Sequence, residues 1–333
     1  MLHAQWQFIE DTLMNGKIQA GVLEWWQLVV VSAIVLAVVL GLGNYALAQQ
    51  DKAALRPIGR LFTGGPTYKD VEYVPGGHER QKLDIYLPRD ADEKALPLII
   101  WIHGGAWRAG SKKNCPAKRF VQKGYAVASI NYRLSRHALF PAQIEDCKAA
   151  VRYLRANAGR YGFDPNRFGV WGSSAGGHLA ALLGTTGGLK EFEKGQNLEV
   201  SSRVQAVCDY FGPTDFTLMS SFWSRMDHDA PTSPESLLIG GPVQENKEKS
   251  QRANPVRYVT SDDPPFLIVH GDKDPLVPHN QSEILYRALQ KARVKSKFHT
   301  VVGGGHGGFK DPIVEQMVED FFEKHLKSAR KSS

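Results

Sequence analysis

The chain has 333 residues, 42% hydrophobic and 23% charged, with 32 glycines and 18 prolines; this composition fits a folded globular protein and excludes a disordered, collagen-like or coiled-coil chain. The formal charge of +7 comes from dispersed basic residues, dense only at Lys324, Lys327, Arg330 and Lys331. No zinc-finger, RRM or basic-zipper pattern accompanies them, so no nucleic-acid partner is expected. The cysteines, Cys115, Cys147 and Cys208, fit no C-x-x-C zinc or redox spacing. They read as small buried apolar residues, and a Cys115–Cys147 pair stays open.

Leu28–Gly43 is an uncharged apolar run followed by Asn44-Tyr45-Ala46-Leu47-Ala48. The run is intermediate between a signal-peptide core and a membrane span. Ala46 and Ala48 form an A-x-A cleavage signature, so residues 1–48 read as a signal peptide cut after Ala48. The second reading is an uncleaved anchor with Trp25 and Trp26 at the interface. The expected location is accordingly extracytoplasmic, secreted or periplasmic, with membrane attachment only through this segment. Residues 49–66 read as a linker, and 67–328 as one folded domain.

Within that domain short β-type runs alternate with helical patterns. Val71–Val74 and Leu83–Leu87 suggest an initial antiparallel pair around Pro75-Gly76-Gly77. Leu98–Ile102 is continuously apolar, as in a strand buried on both faces of a parallel sheet. Comparable runs are Ala126–Ile130, Phe168–Trp171, Val204–Tyr210, Phe266–His270 and Phe298–Val302. Pro141–Ala158 carries a helical stripe at Ile144, Cys147, Val151, Leu154 and Ala158. A last helix is expected from Asp311 as N-cap and Pro312 at N1, with Val314, Met317, Val318, Phe321 and Phe322 on one face. Alternation of this kind predicts an α/β fold, a mostly parallel twisted sheet with helices on both faces.

The chemistry is concentrated at four places. Phe168–Trp171 runs into Gly172-Ser173-Ser174-Ala175-Gly176 and then an apolar helical stretch. This is G-x-S-x-G in strand–turn–helix context, a nucleophile elbow with Ser174 at its tip. A serine hydroxyl needs a base, an orienting partner for that base, and donors for the developing oxyanion. His103-Gly104-Gly105-Ala106-Trp107 follows the Leu98–Ile102 strand, where such folds place an HGGG-type oxyanion loop. His103 there is expected to hold the loop rather than act as base. Asp274, with Asp272 as competitor, lies just past the Phe266–His270 strand. His306 lies on the glycine loop Gly303–Gly308 after the last strand. The order Ser174, Asp274, His306 is that of α/β-hydrolases. His299 reads as structural, and His178, His270 and His279 fit the site less well.

HGGAW, GSSAGG, HGDKDPLVP and GGGHGGF together resemble the α/β-hydrolase esterases and lipases. The resemblance is to the bifunctional deacetylase–feruloyl esterase domain group, near hormone-sensitive-lipase-like esterases, and it covers residues 67–327. It implies Ser174 as nucleophile, His306 as general base and Asp274 as its orienter. It further implies backbone N–H groups of Gly105, Ala106 and Ala175 as the oxyanion hole. Ala106 departs from the third glycine of HGGG. HGGxW also resembles arylformamidases, so an amidase or peptidase using the same triad is the alternative activity, and a non-catalytic binding protein a further one. The implied substrate is a short acyl or aryl ester, including acetylated or feruloylated carbohydrate. No cofactor or metal is implied. Residues 213–255, with Phe216, Met219, Phe222, Trp223 and Met226, read either as a cover over the substrate pocket or as a connection packed on the core.

Overall fold

The computed structural model describes residues 64–89 and 95–327. The chain divides between residues 60 and 61, and all described residues belong to the second unit, Leu61–Ser333. The expected signal segment or anchor at 1–48, and the linker up to residue 63, lie outside the described residues. Among the described residues, no helix is long and apolar enough to cross a membrane.

One sheet contains β1 (Tyr68–Glu72), β2 (Lys82–Tyr86), β3 (Leu96–Ile102), β4 (Ala126–Ile130), β5 (Phe163–Ser173), β6 (Ala206–Tyr210), β7 (Phe266–Gly271) and β8 (Ser296–Val301), in the order β1-β2-β4-β3-β5-β6-β7-β8. β2 pairs antiparallel with β1 and β4, and every pair from β4 to β8 is parallel. The principal helices are α1 (Ala142–Ala156), α2 (Ala175–Thr185), α3 (Asn280–Lys291) and α4 (Pro312–Phe322).

The period-2 geometry of the strands divides the core in two. Leu98, Ile100 and Ile102 of β3 join Val170, Val207 and Ile268 in one cluster with Ile144, Val151, Leu179 and Leu285 of the helices. Ile99 and Trp101 face the other way, among Val127, Trp171, Cys208 and Val269, covered by Phe120 and by Val314, Val318 and Phe322 of α4. The inner strands β3 to β7 are therefore covered on both faces, which is why they appear largely as apolar runs. α4 begins as its capping signal dictates, with Asp311 accepting from the Ile313 N–H at 2.9 Å and Pro312 in the first turn.

Several boundaries differ from the sequence expectation for identifiable reasons. β1 lies three residues earlier than the Val71–Val74 run at its start. It is an edge strand of mixed polarity, and its register shifts between Tyr68 and Val71, where Asp70 has φ 54°. β5 extends back to Phe163, which pairs with Leu96 across another register shift. β8 starts at Ser296, because an edge strand keeps polar residues facing solvent. Val302, expected in that strand, lies beyond its end and is 86% exposed. The helix expected over 141–158 is interrupted at Asn157 and followed by a separate turn, Ala158–Tyr161. All three cysteines are free and buried, so the Cys115–Cys147 pair does not form.

Candidate active site

Ser174 stands between β5 and α2 with φ 54° and ψ −125°. A non-glycine residue held there stores strain of about 1–3 kcal/mol. The turn is tight enough to demand glycine on both sides. A Cβ on Gly172 would lie 2.0 Å from the Gly176 carbonyl oxygen, and one on Gly176 would lie 2.1 Å from that of Ile102. The Ser174 N–H donates to the Tyr210 carbonyl at 2.8 Å, and the Ser174 carbonyl accepts from the His178 N–H at 3.0 Å. The tip of the elbow is thus clamped from β6 and from α2.

The HGGA loop lies against this tip. A Cβ on Gly104 would come within 2.8 Å of the Ser173 carbonyl oxygen and 3.2 Å of the Ser174 Cβ. Ala106 and Trp107 follow in consecutive left-handed conformations, φ 55° and 54°. Ala106 therefore accommodates the backbone path that the third glycine of HGGG would take, at about 1–2 kcal/mol of strain. No acceptor among the described residues takes the backbone N–H groups of Gly104, Gly105 or Ala106. Ala175 opens α2 and is buried, so its N–H belongs to the unpaired first turn.

His103 holds this loop. Arg80 Nη2 lies 3.0 Å from His103 Nε2, and a guanidinium can only donate. Nε2 is therefore the acceptor, and Nδ1–H donates to the Gly104 carbonyl at 2.7 Å. The ring stacks on Tyr132 at 4.5 Å, and burial pushes its pKa down to about 4. It is a neutral brace, as its position before the serine implied.

After β7 and β8 the acid and the histidine meet. His306 Nδ1 lies 2.7 Å from Asp274 Oδ2, so Nδ1–H donates and Nε2 is left as the basic nitrogen. The competitor Asp272 makes no such bond; its Oδ1 accepts from the Gly303 N–H at 2.6 Å. Asp274 is 2% exposed. Its Oδ1 accepts from the N–H groups of Leu276 and Val277 at 2.8 and 3.0 Å. Burial alone would raise its pKa, but the hydrogen bonds from His270 and His306 outweigh burial and hold the carboxyl well below the usual carboxylate range.

His270, whose place in the sequence fits the site less well, also joins it. Its Nε2 lies 3.1 Å from Asp274 Oδ2 and 3.0 Å from the Val277 carbonyl oxygen. With two acceptors facing it, Nε2 carries the proton, and Nδ1 accepts from Ser282 Oγ at 2.8 Å. Burial lowers the His270 pKa, so a neutral ring donates to the same carboxylate oxygen as His306. No spacing rule marks it, because the contact depends on the loop after β7 folding back on that strand. Phe211, also unmarked, has φ 44° and sets its ring 4.6 Å from that of His306. Its neighbour Tyr210 holds the elbow, so one dipeptide braces both serine and histidine.

The other histidines lie apart. His178 is buried with Nε2 donating to the Ala253 carbonyl at 2.7 Å. His279 Nε2 meets Thr300 Oγ1 at 3.0 Å, and His299 sits in β8. Behind the elbow, Asp209 is fully buried, with Oδ1 accepting from the Gly212 N–H at 3.0 Å. Burial pushes its pKa up to about 7.

A cleft of about 500 Å³ lies beside this assembly, lined by neighbours of its residues, His103, Gly104, Gly105, Ser173, Phe211 and Gly307 among others. In the 213–255 segment, Phe216 and Met219 are in the core, whereas Phe222 and Trp223 are 49% and 68% exposed. Backbone and hydroxyl bonds tie that exposed pair beside the acid loop: the Arg225 N–H donates to the Pro275 carbonyl at 2.9 Å, and Ser224 Oγ lies 3.3 Å from the same oxygen.

A sheet of this order, with a strained serine after β5 and an acid–histidine pair after β7 and β8, defines an α/β-hydrolase. The family model described as BD-FAE matches residues 83–289, and the chain belongs to that family. Esterase LipQ of Mycobacterium tuberculosis is 32% identical over 262 residues, covering 76% of this chain and 61% of its own length. The chain thus spans about three-fifths of that relative. A truncated carbohydrate esterase from gut microbiota is 38% identical with a TM-score of 0.73, over 78% of this chain and 95% of that one. An acetyl ester-xyloside bifunctional hydrolase from Caldicellulosiruptor lactoaceticus is 27% identical with a TM-score of 0.61, over 73% and 87% of the two chains.

Proposed function

We propose that the protein hydrolyses carboxylic esters through an acyl-enzyme on Ser174. The observation that carries the proposal is the Asp274–His306 hydrogen bond, formed in the same fold as a serine held at a strained elbow. Ser174 Oγ attacks the ester carbonyl while His306 Nε2 takes its proton, and Asp274 stabilises the imidazolium through Nδ1–H. The N–H groups of Gly105, Ala106 and Ala175 receive the oxyanion. Collapse expels the alcohol, which takes the proton from His306, and water repeats the sequence to release the acid and free Ser174.

Family membership and the carbohydrate-esterase relatives support short acyl esters of carbohydrate as substrates. Residues 67–328 form the catalytic domain in this reading. The apolar run and the A-x-A signature support an extracytoplasmic protein, cleaved after Ala48 or anchored by that segment. The test is turnover of 4-nitrophenyl acetate beside a formamide and a dipeptide 4-nitroanilide, by wild type and Ser174→Ala. Ester hydrolysis that leads the other two and disappears in the variant supports the proposal; retained turnover in purified Ser174→Ala refutes it.

A further inference from the structure

The cleft beside the elbow extends well beyond Ser173. Away from Ser173 its wall continues along Trp101, Trp171 and Tyr210 to Arg119 and Glu315. Arg119 stands on the 3-10 helix Pro116–Lys123, with its guanidinium carbon 5.4 Å from the Trp171 ring. Only Nη1 is engaged, at 3.0 Å from Glu315 Oε1. Nε and Nη2 of Arg119 and Nε1 of Trp171 are buried with no acceptor among the described residues. Buried polar atoms are rarely left unpaired, so three together ask for an explanation.

Their chemistry is one-sided. Among the described residues, every buried side-chain polar atom of this wall that lacks a partner is a donor. A single hydroxyl oxygen cannot fill two parallel donors, whereas a carboxylate presents two acceptor oxygens and no donor. Nε and Nη2 together form the side edge of the guanidinium, the fork that matches a carboxylate in two-point fashion. The partner that Arg119 now has is weak, because Glu315 lies at the surface with a side chain 64% exposed, and exposed pairs contribute little.

We propose that the Arg119 end of the cleft is a subsite for a carboxylate borne by the substrate, on the acyl or the alcohol side of the ester. The inference rests on the ester-hydrolase reading and names the substrate class for the same site. The incoming carboxylate competes with Glu315, releases Nη1, and lets the fork turn into the cleft with Trp171 Nε1–H beside it. The favoured substrates are then esters that carry a free acid group near the scissile bond, such as a uronic acid acylated on a hydroxyl or a dicarboxylic half-ester.

The test compares kcat/KM for two matched pairs, corrected for uncatalysed hydrolysis: the 4-nitrophenyl esters of butyric and succinic acid, and 3-methylphenyl against 3-carboxyphenyl acetate. Charge-assisted hydrogen bonds are worth about 1.5–3 kcal/mol, or about ten- to hundredfold. Arg119→Met should lose that factor on the acidic member of at least one pair and change the neutral member less than about threefold. Glu315→Gln removes the competing carboxylate from an exposed position, so it should raise the acidic-to-neutral ratio severalfold. If Arg119→Met does not fold, this second variant decides. Equal losses on acidic and neutral esters, or an acidic-to-neutral ratio that Glu315→Gln leaves unchanged, overturn the subsite. Absence of turnover on neutral esters together with absence of fluorophosphonate labelling at Ser174 would instead overturn the ester reading beneath it.

Discussion

Asp209 makes the pH dependence of stability a test of how the elbow is buried. The side chain is fully enclosed; one oxygen takes the Gly212 N–H and the other has no donor among the described residues. Its folded pKa of about 7 stands above the value of about 3.9 for an unfolded aspartate. The folded state therefore holds the proton more tightly, so stability is greatest below the unfolded value and falls as pH rises toward 7. Between pH 5 and 8 the loss spans roughly two pKa units, about 3 kcal/mol at 1.36 kcal/mol per unit. Asp209→Asn has no charge to bury and escapes that loss, while its unpaired amide costs about 1–3 kcal/mol at every pH. In thermal melts the Tm of the variant relative to wild type should thus rise by roughly 6–12 °C between pH 5 and 8, at 2–4 °C per kcal/mol. The constant penalty cancels in that comparison. Melting curves that keep the same separation at both pH values would refute the reasoning.

Gly104→Ala should abolish more than 90% of ester turnover without unfolding the protein, because its Cβ meets the Ser173 carbonyl and Ser174; near-normal kcat with a normal melt would contradict the loop's placement. His270→Ala removes one of the two side-chain donors to Asp274, so kcat should fall about tenfold or more. His270→Gln, which keeps an N–H donor, should recover part of it, and identical kcat for both variants would count against the bond. Trp223→Ala, at an exposed site tied beside the acid loop, should change the ratio of acetyl to octanoyl ester turnover and leave Ser174 labelling intact; an unaltered chain-length profile argues that Trp223 does not meet the substrate.

The parts of this molecule legible in sequence are those that local chemistry writes. The strands at 98–102 and 126–130 show as apolar runs because both faces are buried, and Gly172 and Gly176 bracket Ser174 because a Cβ has no room there. Asp274 and His306 are found by their place after strands. What escaped reading depends on the chain meeting itself. Arg80 braces His103 from an early loop, and His270 reaches Asp274 only because the loop folds back. Phe211 acts through an unusual backbone angle that no residue type announces. The ends of β1 and β8 differ from the apolar runs because edge strands mix polar with apolar residues and, in β1, carry a bulge.

The central claim is that Ser174 is an activated nucleophile, and covalent labelling tests it without knowledge of the natural substrate. A fluorophosphonate probe should modify the native protein at Ser174 alone, as read by peptide mass spectrometry. Labelling should vanish in Ser174→Ala and fall steeply in His306→Ala. A folded protein that resists the probe, or takes it on a different residue, would contradict the account.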